Sequence, residues 1–98
     1  MGELQTHFDE FRVVVSRHIK ELQAAQPETQ TTAWYLLKYL RRVHNKTAVS
    51  TSPREVENTV NALLRFYLDA IDEDSHLDLR VKEVLKFHRR SLRLERRD

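Results

Sequence analysis

Cysteine is absent from the 98 residues, and glycine occurs once and proline twice. Without cysteine there is no disulfide framework, no thiolate nucleophile and no thiolate zinc site, which points to a reducing, intracellular setting in cytoplasm or nucleus. So little glycine and proline disfavours a β-rich fold, which needs turn residues at short intervals. The lone glycine, Gly2, follows the first methionine, so no glycine-rich phosphate loop or nucleophile elbow can be built. Long hydrophobic runs are missing too: no stretch approaches the roughly 18 apolar residues of a membrane span. Residues 1–10 carry Glu3, Asp9 and Glu10 in place of the basic start and apolar run of a secretory signal. No membrane partner is expected.

What is present is charge, at 33% of residues, laid over helical periodicity. Leu4, Phe8, Phe11, Val15, Ile19 and Leu22 recur at spacings of three and four, predicting a first helix over residues 3–24. The break around Pro27 leads into a second helix over 29–44, with Ala33, Leu36, Leu37, Leu40 and Val43 as its core stripe. Trp34 lies on a separate side of that helix, and Tyr35 and Tyr39 lie one turn apart beside the stripe. Residues 45–51 read as a polar, β-branched loop. Asn45-Lys46-Thr47 matches a glycosylation sequon, which counts here only as a loop signal.

Ser52-Pro53-Arg54-Glu55 is a helix start, with Ser52 as cap, Pro53 at the first position and Glu55 reaching back. A third helix over 53–72 follows, with a broad apolar face of Val56, Val60, Leu63, Leu64, Tyr67, Leu68 and Ile71, widened by Phe66 and Ala70. Ser75 to Asp78 repeats the capping pattern and opens a fourth helix over 76–96 along Leu77, Val81, Val84, Leu85, His88 and Leu92. The expected architecture is a single all-α domain, a compact bundle of four or five amphipathic helices, up-down or orthogonal.

Little in the chain points to chemistry. None of His7, His18, His44, His76 and His88 stands three or four residues from another, so no helical metal pair is expected. The acidic run Asp69, Asp72, Glu73, Asp74 and Asp78 lacks the glycine and ligand spacing of a calcium loop. No catalytic residue, cofactor or metal is predicted, and the chain is read as a non-enzyme.

The functional signal is the last helix. Arg80, Lys82, Lys86, Arg89, Arg90, Arg93, Arg96 and Arg97 face only Glu83, Glu95 and Asp98, a local charge of +5 in a chain of net +2. Part of that bias complements the helix dipole. Guanidinium groups also pair with carboxylate or phosphate in bidentate fashion. Phe87 and Leu94 form a second apolar side on this helix, about a third of a turn from the main stripe. Together Lys86, Phe87, Arg89, Arg90, Arg93, Leu94 and Arg97 make a candidate site for an acidic or helical protein segment. Two alternatives stay open: nucleic acid bound along the arginine-rich helix, and a homodimer seam.

Leu36-Leu37-Lys38-Tyr39-Leu40, Thr59-Val60-Asn61-Ala62-Leu63 and Val81-Lys82-Glu83-Val84-Leu85-Lys86, followed by Arg89-Arg90-Ser91-Leu92, stand in one order over residues 34–94. In that order they resemble the N-terminal domain family of the transcription-elongation factor TFIIS. The resemblance implies a helical bundle that docks short helical or acidic motifs of transcription-elongation partners, without catalysis. This chain departs from the family in lacking a glycine before Val60-Asn61 and in carrying His88 where the family tends to have tryptophan.

Overall fold

The computed structural model describes residues 2–96, with side-chain surroundings given for 6–94. It is an all-α bundle of four helices: α1 (Gly2–Ala24), α2 (Thr32–Ala48), α3 (Glu57–Ala70) and α4 (His76–Arg96), with a short 3-10 turn over Pro53–Val56. A helix the length of α1 spans about 35 Å, most of the 42 Å long axis of the body. α1 therefore runs along that axis. The expected position of Leu4 in the core stripe lies outside the described side chains.

The sequence stripes become the core. Phe8, Phe11, Val15 and Leu22 of α1 are buried against Leu36, Leu37, Leu40 and Val43 of α2 and against Val81, Val84 and Leu85 of α4. Around the axis, α1 packs on α4 and α2, α2 also carries α3, and α3 meets α4 over a smaller contact than these three pairs make. α4 runs antiparallel to α1, since Glu21 meets Arg80, His18 meets Glu83 and Phe11 meets His88. The 3-10 turn wedges among α2, α3 and α4 with Pro53 and Val56 buried. Buried His88 faces the Pro53 carbonyl oxygen with Nε2 at 3.0 Å, and the bond requires the proton on that nitrogen.

Several boundaries differ from the sequence expectation. α2 begins at Thr32 because Thr31 Oγ1 accepts the Trp34 N–H, leaving Pro27 in the link. It runs on to Ala48, so the expected loop over 45–51 is helical for its first half and the sequon lies within a helix, with Thr47 buried. A contact from α1 accompanies this: Arg12 Nη2 donates to the carbonyl oxygen of Thr47, which also accepts the Ser50 N–H, and to that of Ser50, at 3.0 and 2.9 Å, tying the end of α2 to α1.

The expected cap at Ser52 is not made, and the Glu55 carboxylate reaches back to the Thr51 hydroxyl and N–H instead. With no side-chain oxygen on its first N–H groups, the chain takes a turn of 3-10 helix before α3 starts at Glu57. α3 stops at Ala70, and Leu68 and Ala70, assigned from the sequence to its apolar face, are exposed. At Ser75 the predicted cap is formed: its Oγ accepts the Asp78 N–H at 3.1 Å, and the Asp78 carboxylate accepts the Asp74 N–H at 3.0 Å. That second bond holds Asp74 in the left-handed region, φ 64°, where the chain turns between the helices.

Candidate functional site

α3 and α4 meet over a small contact, and a surface groove of about 530 Å³ remains between them. Leu64, Tyr67 and Leu68 of α3 and Leu85 of α4 give it an apolar lining, and Lys82, Lys86, Arg89, Arg90 and Arg93 stand along the α4 side. No acidic side chain lines it among the described residues. Leu68, 69% exposed, is a large apolar side chain left in solvent at the groove's edge.

One end of the groove is fixed by a buried carboxylate. Asp78 is fully buried and accepts from the Tyr67 hydroxyl, from the Asp74 N–H and from Lys82 Nζ at 2.9 Å. The Tyr67 hydroxyl, foremost, and then Lys82 hold its carboxyl below the usual 3.8. The same contact raises the Tyr67 phenol, and the carboxylate raises Lys82. Tyr67 and Lys82 both line the groove, so Asp78 sets the position of one wall residue from each helix.

The sequence-predicted residues divide between two faces of α4. Lys86, Arg89, Arg90 and Arg93 come together along the groove. Phe87 is turned to the α1 side, half-buried beside Val13 and Val14 in a separate hollow that also contains Thr6, Asp9, Glu10 and Arg90. Arg90 bridges the two faces, its guanidinium lying 5.2 Å from the centre of the Phe87 ring. Leu94 is half-buried and lines neither hollow. Arg97 lies outside the described residues. Leu64, Tyr67, Leu68 and Leu85 were read from the sequence only as core residues; the signal that could have separated them is an apolar face on α3 wider than one neighbouring helix can cover.

A second polar cluster joins α1 to α4 on the other side. His18, 5% exposed, places Nε2 at 2.7 Å from Glu83 Oε1 and Nδ1 at 2.9 Å from Arg80 Nη1. A guanidinium can only donate, so Nδ1 accepts from Arg80, and the proton sits on Nε2, which donates to Glu83 at 2.7 Å in preference to the Arg17 guanidinium at 3.4 Å. Arg80 also donates to Glu21 at 2.5 Å, and Arg17 pairs with Glu83. Burial lowers the His18 pKa from 6.5, opposed by Glu83 and assisted by Arg17 and Arg80. Every polar atom of the ring is thus committed between helices, and the cluster fixes how α4 lies on α1.

Among the described residues no group of three histidine, aspartate or glutamate side chains is placed to hold a metal ion, and no helix is long and apolar enough to cross a membrane. No protein-family profile, curated protein or solved structure matches the chain.

Proposed function

We propose that the protein is a non-catalytic interaction module that takes an acidic amphipathic helical segment of a partner protein into the groove between α3 and α4. The observation that carries this reading is the pairing of an apolar lining with five cationic side chains and, among the described residues, no acidic one. An amphipathic helix laid in a groove buries its apolar stripe, and carboxylates along its flank would meet Lys86, Arg89 and Arg93. Leu68, exposed in the free protein, gives such a segment apolar area to cover.

The partners that the TFIIS-like resemblance implies, in a nuclear transcription assembly, offer segments of this chemistry. The test is fluorescence anisotropy with a labelled helical peptide of alternating leucine and glutamate faces, at low and high salt. Binding that keeps part of its affinity in high salt and falls on Leu68→Asp and on Arg89→Ala with Arg93→Ala supports the reading. Binding that vanishes with salt and ignores Leu68 would reject the apolar groove as the site.

A further inference from the structure

A side face of α2, running from the edge of the core out to solvent, carries a second unassigned feature. Trp34, Tyr35, Lys38, Tyr39 and Arg42 lie on one arc that borders the buried arc of Leu36, Leu40 and Val43, with Tyr39 partly buried against the core. Phe66 of α3 joins them: its ring stacks on Tyr39 with centroids 4.7 Å apart and leans on Tyr35 at 6.4 Å, and Tyr35 meets Trp34 edge-on at 4.9 Å. The rings form a continuous row, half-buried to exposed. A cation closes each end: Lys38 Nζ stands 4.0 Å over Trp34, and the Arg42 guanidinium 5.3 Å over Tyr39. Arg41 and Lys46 extend the charge, and α2 contains no aspartate or glutamate.

We infer that this aromatic and cationic face of α2 is a binding site for single-stranded nucleic acid, with bases stacking at Trp34 and Tyr35 and with Lys38, Arg41 and Arg42 on the phosphates. Rings presented at one helical turn from cations supply the two interactions that a flexible strand needs, a π-face for the base and a positive charge for the backbone. The cation on Trp34 marks the place a base would take. Replacing the ammonium by a base keeps the ring face covered, and frees Lys38 to swing on its four-carbon stem to the adjoining phosphate. An acidic peptide would satisfy the cations but leave the ring row unused. This site lies on α2, apart from the α3/α4 groove, and does not rest on the peptide-docking reading.

Trp34 is the only tryptophan of the chain, so its fluorescence reports on this face alone. The experiment is a titration of the full chain with an oligodeoxythymidylate of about 12 nucleotides, read by quenching of Trp34 at several salt concentrations. The expected result is saturable quenching whose midpoint weakens with salt. In the double variant Lys38→Gln, Arg42→Gln the slope of log affinity against log salt becomes shallower by about 1.4, as when two phosphates of a single strand are no longer neutralised. Tyr35→Ala weakens binding roughly fivefold or more. Arg89→Ala with Arg93→Ala leaves the quenching unchanged. These are surface positions, and circular dichroism verifies that each variant is folded. The inference is overturned if the oligonucleotide leaves Trp34 unquenched at low salt, if the α4 variant abolishes quenching while the α2 variant keeps it, or if a polyglutamate peptide quenches equally well.

Discussion

Arg12 in the middle of α1 donates to the carbonyl oxygen of Ser50, 38 residues away, and to that of Thr47, and so serves as the C-terminal cap of a helix to which it does not belong. Asp9 pairs with the same guanidinium at 3.0 Å, and the Phe8 ring lies beneath it at 4.4 Å. Removing it by Arg12→Ala takes the guanidinium donor from both part-buried carbonyls and leaves that of Thr47 with the Ser50 N–H alone. The predicted loss is about 2 kcal/mol, which for a chain of this size lowers Tm by roughly 8–16 °C. Hydrogen exchange should show the damage concentrated in the last turn of α2, and an unchanged melt would remove Arg12 from the capping role.

His18 makes folding sensitive to mild acid. Its folded pKa lies below the ordinary 6.5, so between the two values the unfolded chain binds the proton and the folded one does not. Stability is therefore full above 6.5 and declines as pH falls below it, until the folded pKa is passed. Thermal melts between about pH 7 and pH 5 should show this slope in the native chain and a flatter one in His18→Gln. Glu83→Gln removes the carboxylate that raises the His18 pKa, so an NMR titration of that variant should find the imidazole titrating at lower pH still. A shift upward would contradict the part given to Glu83 in raising the His18 pKa.

The buried Asp78 carboxylate acts with the same sign, at lower pH. Its folded pKa is depressed, chiefly by the Tyr67 hydroxyl, so the stability it gives is complete above the ordinary 3.8 and is lost as pH falls through the folded value. Tyr67→Phe removes the leading cause, and the acid limb of the stability curve should become less steep. Asp78→Asn should flatten that limb further and lower Tm at neutral pH, because the amide cannot pair with Lys82 as the carboxylate does. An acid limb identical in all three proteins would show that Asp78 does not titrate within the fold.

The helices were legible in the sequence where a local pattern and a tertiary contact agree. Phe8, Phe11 and Val15 on α1, and Val81, Val84 and Leu85 on α4, stand at helical spacing and are buried. The Ser75 start was legible because the cap and its acceptor lie three residues apart. The end of α2 was not legible, because the group that ties it to α1, Arg12, is remote in the chain. At Ser52 the capping pattern was present, but Glu55 bonds Thr51 and the segment settles into a 3-10 turn under buried His88. Of the candidate site, the cationic side could be read from the arginine spacing. The apolar side could not, because periodicity places Leu64 and Leu68 on a face without saying whether a helix covers it.

Lying on an apolar face and being covered are different states, and two leucines separate them. Leu40 is fully buried, and Leu68 is 69% exposed. Leu40→Ala opens a cavity in the core and should cost about 2–5 kcal/mol, whereas Leu68→Ala should change stability by no more than about 0.5 kcal/mol. The order should reverse for binding of the acidic helical peptide: Leu68→Ala weakens it with the fold intact, because only the bound peptide covers that side chain. Chemical denaturation measures the stability of both variants, and anisotropy measures their binding. If Leu68→Ala proved as destabilising as Leu40→Ala, Leu68 would be covered within the protein itself and the groove would have no exposed apolar edge to offer a partner.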